Sequence, residues 1–225
     1  MSARKDPPAE DGHTTRAGRA IEATSFGIID REAGPHDYDP EQWAVVRRMI
    51  HASADFDFNG LTRFHSEAVS AGIHAVRSGR PVVADVEMIR VGLSQVRLGA
   101  FGMATHQFIG DADVIERAHA QGTTRAVQAM RKAHEMGLLA GGILAVGNAP
   151  TALLEAIRLI GEEGVRPALV IGMPVGFVSA AESKAALGAL DRIPWILTQG
   201  RKGGSTLVVA AIHALVALAE TDAHG

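Results

Sequence analysis

His51 closes the run Arg47-Arg48-Met49-Ile50-His51, whose apolar members recur with Trp43 and Val46 at helical spacing. Imidazole is the side chain best suited to moving protons near neutral pH, so a histidine at a helix end beside two arginines is a candidate general acid. The plainer reading is a surface histidine, for which a helix C-terminus is a favourable place. A second group of cations stands in Gly200-Arg201-Lys202-Gly203-Gly204-Ser205, between a short apolar run and an apolar-rich helical segment. Cations and the unpaired amides of a helix start converge there, an arrangement that binds carboxylate or phosphate; the alternative is an ordinary solvated turn. Arg125, after Thr123 and Thr124, and Lys184 read as surface ion-pair partners as readily as ligand-binding groups. The ten histidines include no His-x-x-x-His pair beside an acidic motif, and cysteine is absent. No thiolate nucleophile, disulfide or compact metal site is therefore expected. The loop at 200–205 lacks the Walker spacing and 172–177 does not satisfy Gly-x-Gly-x-x-Gly, so neither nucleotide nor other cofactor is expected.

These groups need a scaffold, and its centre is the stretch 141–160. Ile143–Val146 is a short apolar run between glycines, which suits a strand buried on both faces, and helical spacing follows Thr151. Asn148 is the expected helix cap and Pro150 falls in the first turn, where a missing N–H costs nothing. The turn is expected to present free amides. The same strand, glycine loop and helix order returns at 168–190 and at 195–220. Three such units imply a parallel sheet with right-handed crossovers, so that all three loops leave from the carboxyl edge of the strands, where open α/β folds bind ligands.

The segments Gly147-Asn148-Ala149-Pro150-Thr151-Ala152-Leu153, Pro174-Val175-Gly176-Phe177-Val178 with Glu182-Ser183-Lys184, and Gly200-Arg201-Lys202-Gly203-Gly204-Ser205 together resemble the precorrin-8X methylmutase (precorrin isomerase) family. The resemblance runs from about residue 21 to 218, through Arg48-Met49-Ile50-His51, Asp85-Val86-Glu87-Met88 and Thr124-Arg125. It implies an isomerase of cobalamin biosynthesis that binds a corrinoid tetrapyrrole, moves a methyl group from carbon 11 to carbon 12 of precorrin-8X and releases hydrogenobyrinate. It makes His51 the catalytic residue and sets Arg48, Thr124, Arg125, Asn148, Ala149, Thr151, Gly176, Arg201, Lys202, Gly203 and Ser205 around the substrate. It also implies a homo-oligomer, most simply a dimer. One departure stands out: family members often carry a small-residue turn where this chain has His65-Ser66-Glu67-Ala68, and Glu67 would bring negative charge to the ligand if that loop reached the cleft. Two other readings of the loops are a tetrapyrrole carrier without catalysis and an α/β enzyme acting on a phosphorylated metabolite.

Composition sets outer bounds. A chain of 225 residues, 47% hydrophobic, can bury one substantial core. Its formal net charge of −3 argues against nucleic-acid or membrane-surface partners, and no apolar run reaches the roughly 20 residues that cross a bilayer. A cytoplasmic enzyme with a three-layer α/β/α domain, a mainly parallel sheet and glycine-rich loops at the strand C-terminal edge is the expectation. Residues 1–20, charged and without apolar period, are expected to be a flexible tail before one domain at 21–225. Along that domain 21–29 is expected to form a lead-in segment, Asp39 to cap the helix that ends near His51, and 52–63 to be a loop whose Asp55 and Asp57 either orient the His51 imidazole or, the favoured reading, are solvated. Helices are expected at 66–78, from Val86 to Gly92, from Val114 and from Arg125 to Met136, the last with Thr123 as cap, and 94–110 is irregular.

Overall fold

A computed structural model of the chain describes residues 15–221. Six strands form one sheet: β1 (Thr62–Phe64), β2 (Val82–Ala84), β3 (Thr105–His106), β4 (Ile143–Val146), β5 (Leu169–Gly172) and β6 (Trp195–Thr198), in the order β1-β6-β5-β4-β2-β3. Every pairing is parallel except β1 on β6, where Thr62 faces Thr198 and Phe64 faces Ile196. The expected parallel run is β4-β5-β6, and β2 joins its other side.

Strand chemistry explains the layers. All four residues of β4 are buried, Ile143 and Ala145 in one apolar cluster and Leu144 and Val146 in another. A period of two puts alternate side chains on opposite faces, so a continuous apolar run means a sheet covered on both sides. One face is covered by α1 (Arg16–Glu32), α2 (Pro40–Ser53), α4 (Ala68–Arg77), α5 (Glu87–Gly92) and α11 (Ser205–Thr221). The other carries α7 (Ala112–Gln121), α8 (Arg125–Glu135), α9 (Pro150–Glu162) and α10 (Ala180–Gly188). Two short helices, α3 (Phe58–Leu61) and α6 (Gln95–Ala100), bridge elements.

Asp39 caps α2 as expected, its carboxylate accepting from the Gln42 amide at 2.8 Å while the Asp39 amide donates to Gln42 Oε1 at 3.4 Å. Other local expectations give way. Thr124, not Thr123, caps α8, by accepting the Val127 amide. The stretch 52–63 is not all loop, since it contains α3 and the start of β1, and 94–110 contains α6 and β3. The tail boundary expected after residue 20 falls inside α1, which Thr15 caps by accepting the Gly18 amide. Residues 1–14 of that tail lie outside the described residues.

Candidate active site

The three glycine loops do meet at the carboxyl edge of the sheet, held together by their own backbones. The Gly204 amide donates to Met173 O at 2.8 Å and the Gly176 amide to Arg201 O. Contact is so close that a Cβ on Gly203 would lie 2.2 Å from Met173 O, and one on Gly147 2.7 Å from Ser205 Cα. Glycine is required at both positions because two chains cross there, not because a turn needs it.

The anion-binding character of this edge is distributed differently from the sequence expectation. Asn148 does not cap α9; Ala149 holds the cap position without a side-chain bond. The amides of Gly147, Asn148 and Ala149 are not free, because the buried Asp85 carboxylate accepts all three, at 3.1, 2.9 and 2.7 Å. Burial pushes the Asp85 carboxyl up and the three amides pull against it. A protein carboxylate thus already fills the helix N-terminus that was expected to face a ligand. At the start of α11 the situation is reversed: among the described residues no hydrogen bond uses the amides of Gly203, Ser205 or Thr206. The open helix end is therefore that of α11, with Ser205 buried and Thr206 exposed.

Lys202 is also committed. Its ammonium spans Asp55 at 2.6 Å and Asp57 at 2.7 Å, so these carboxylates are paired, not merely solvated, and the hydrogen bond from Lys202 holds the Asp55 carboxyl below its usual range. Its carbonyl accepts from Lys184 Nζ at 2.7 Å and from Thr198 Oγ1 at 2.8 Å. Lys184 is accordingly no surface ion-pair partner: it is buried, and burial lowers it to about 8. Arg201 remains exposed, its guanidinium 5.5 Å from the Phe177 ring centroid. Thr124 and Thr151 touch through their hydroxyls at 3.0 Å, which sets exposed Arg125, first residue of α8, beside the start of α9.

His51 lies at the last turn of α2, exposed, in a cavity of about 450 Å³ with Arg48, Met88, Val91, Thr206 and His213. Helix α1 secures this corner. Phe26 packs edge-on against the His51 ring at 5.3 Å, Arg47 and Arg48 lie over Phe26, and Glu22 pairs with Arg48 at 3.0 Å. Of the residues expected at the site, His51 and Arg48 line the cavity, and Ser205 adjoins it through Thr206. Thr124, Arg125, Asn148, Ala149, Thr151, Gly176, Arg201, Lys202 and Gly203 lie along the same sheet edge outside it. Glu67 does not approach: His65 N donates to Trp195 O at the start of β6, the opposite edge, so its charge is away from the cleft.

Sequence reading missed three contributors. Phe26 sits in the lead-in segment, Asp85 carries no signal beyond its place in a motif, and His213 is embedded in an apolar helix with no local signal beyond being polar there.

Comparison with known proteins decides the family. Residues 20–218 match the family model described as precorrin-8X methylmutase. The chain belongs to the precorrin-8X methylmutase family. Its members are isomerases that catalyse the methyl shift of cobalamin biosynthesis. The chain is 52% identical to the cobalt-precorrin-8 methylmutase of Leptospira interrogans, over 91% of this chain and 95% of that protein. With the precorrin-8X methylmutase of a Sinorhizobium species it shares 36% identity over 89% of this chain and 94% of that one. The crystal structure of precorrin-8x methyl mutase from Thermus thermophilus superposes with a TM-score of 0.84 at 51% identity, covering 91% of this chain and 99% of that one. The methylmutase fold and the six-stranded sheet described above therefore agree.

Proposed function

We propose that this methylmutase moves a methyl group from carbon 11 to carbon 12 of a precorrin-8 macrocycle seated at the carboxyl edge, with His51 as proton donor. The observation that carries the reading is the cavity between α2, α5 and α11: an exposed imidazole, a guanidinium and an open helix N-terminus border apolar walls formed by Met88, Val91, Val209 and Ala210. Apolar walls suit the face of a conjugated ring, and cations and amides suit its carboxylate rim. During the shift the carbon 11–methyl bond breaks as the carbon 12–methyl bond forms, and a proton lent by His51 to the ring returns when the shift is complete. No external methyl donor enters. Holding the ring in one geometry and one protonation state is then the protein's task.

Around this centre we assign Arg48, Arg125 and Arg201 to substrate carboxylates, with Thr124, Thr151, the Asn148 side chain and the amides near Gly203 and Ser205 as further donors. Gly176 and Lys202 shape the loop by the contacts given above. Relatives named for cobalt-precorrin-8 and relatives named for precorrin-8X occur both at 51–52% and at 36% identity, so both forms of the ring are candidate substrates. A homodimer in the cytoplasm completes the reading. A cavity of about 450 Å³ sits within the about 300–1,000 Å³ that hold drug-sized ligands and takes only part of a macrocycle. Met88 and Val91 stand 63% and 65% exposed at its mouth, apolar surface that a second copy would cover. Incubating purified protein with each form of the ring and following the absorbance of bound product tests the assignment. Fast conversion of at least one form is expected; binding without conversion of either form would leave a carrier, and preference for a phosphorylated metabolite would overturn the reading.

A further inference from the structure

His213 lines the same cavity as His51 but plays no part in the proton transfer assigned above. It stands on α11, and its Nε2 accepts the backbone amide of Ser94, the cap residue of α6, at 3.0 Å. A ring nitrogen that accepts an amide proton carries none of its own, so in the neutral ring the proton is on Nδ1. Among the described residues no group accepts from that Nδ1. Around the ring stand Arg48 of α2, Glu22 of α1, Arg97 of α6 and Glu220 of its own helix. Burial, with Arg97 and Arg48, lowers His213 to about 4 against the opposing pull of Glu22 and Glu220. The imidazole is thus neutral near pH 7 and fixed in one tautomer, which makes it a donor that does not titrate there.

We propose that His213 is a substrate-contacting residue whose Nδ1–H donates to a carboxylate on the rim of the bound ring, beside Arg48. This rests on the corrinoid reading of the cavity. It separates the two histidines by role: His51 transfers a proton, and His213 fixes which part of the rim lies against α11. The competing account is that His213 serves only to anchor Ser94.

Two substitutions divide these accounts. In His213→Gln the side-chain oxygen can take the place of Nε2 and keep the Ser94 bond, but the Nδ1 donor is gone. In His213→Asn the amide N–H stands near the Nδ1 position and the Ser94 bond is lost. Corrinoid dissociation constants and kcat/KM are measured for both, with thermal melts to establish folding. Loss of a donor to a charged group predicts at least tenfold weaker binding and lower kcat/KM in the Gln variant, and partial retention in the Asn variant. The shape of the pH–rate profile should not change, because His213 carries no titration above about pH 5. A Gln variant equal to wild type overturns the proposal, and so does an Asn variant no better than Gln. Wild-type protein that neither binds nor converts corrinoid would instead sink the corrinoid reading itself, and with it this one.

Discussion

At the scale of single residues, the cavity holds two imidazoles in different settings, one exposed at a helix end and one lodged in α11. Replacing His51 by Ala removes the assigned proton donor and leaves the loops intact. Turnover should fall by about 10² to 10⁴ while corrinoid binding persists, as read by spectral titration beside a rate assay. His213 has a separate signature in stability. Its pKa in the fold, about 4, lies below the ordinary 6.5, so above pH 6.5 the ring is neutral in folded and unfolded chains alike. As pH falls from 6.5 towards 4 the unfolded chain takes up the proton first, and stability on the order of 3 kcal/mol drains away over that window. His213→Gln should show a shallower loss of stability between pH 6.5 and 4 in urea unfolding.

At the scale of elements, the carboxyl edge is held by side chains bonded within the protein. Asp85, from the segment between β2 and α5, closes the N-terminus of α9. Asp85→Ala would leave three amides without their acceptor and should cost about 2–4 kcal/mol, measurable as a shift of the urea midpoint. Loop 199–204 separates the two cations that sequence treats alike. Arg201 has no carboxylate partner among the described residues, whereas Lys202 ties the loop to Asp55 and Asp57. Arg201→Ala should therefore weaken corrinoid binding by roughly ten- to a hundredfold at low salt, and Lys202→Ala should weaken it less. Affinities ranked the other way would assign the ligand contact to Lys202. The central strands were legible because four-residue apolar runs between glycines have few other homes, and the Asp39 cap because its bond partner lies three residues away. Asn148 misled because a capping residue type stood at the right place, while the true acceptor lies 62 to 64 residues earlier. Strand β1 escaped notice because three residues make no period, and only the distant β6 defines them as a strand. The pairing of Lys202 with Asp55 and Asp57, 147 and 145 residues away, was hidden for the same reason.

At the scale of the whole molecule, both apolar clusters run through the same sheet, α11 packs on α2, α4 and α5, and α8, α9 and α10 pack in sequence on the other face. We infer that these layers unfold as one unit, so calorimetry should give one transition, and that a solution mass of twice 23.6 kDa should be found. Two separated transitions or an active monomer would each count against that organisation. The pairing of β1 with β6 also bears on how the chain is made. Thr62 meets Thr198, and α11, which seats α2 and α4, comes after β6. During synthesis the first third of the polypeptide leaves the ribosome long before the strand and helix that complete its core. The apolar faces of α2 and α4 stay uncovered until α11 has been added, so packing of α11 is the step that closes this half of the core.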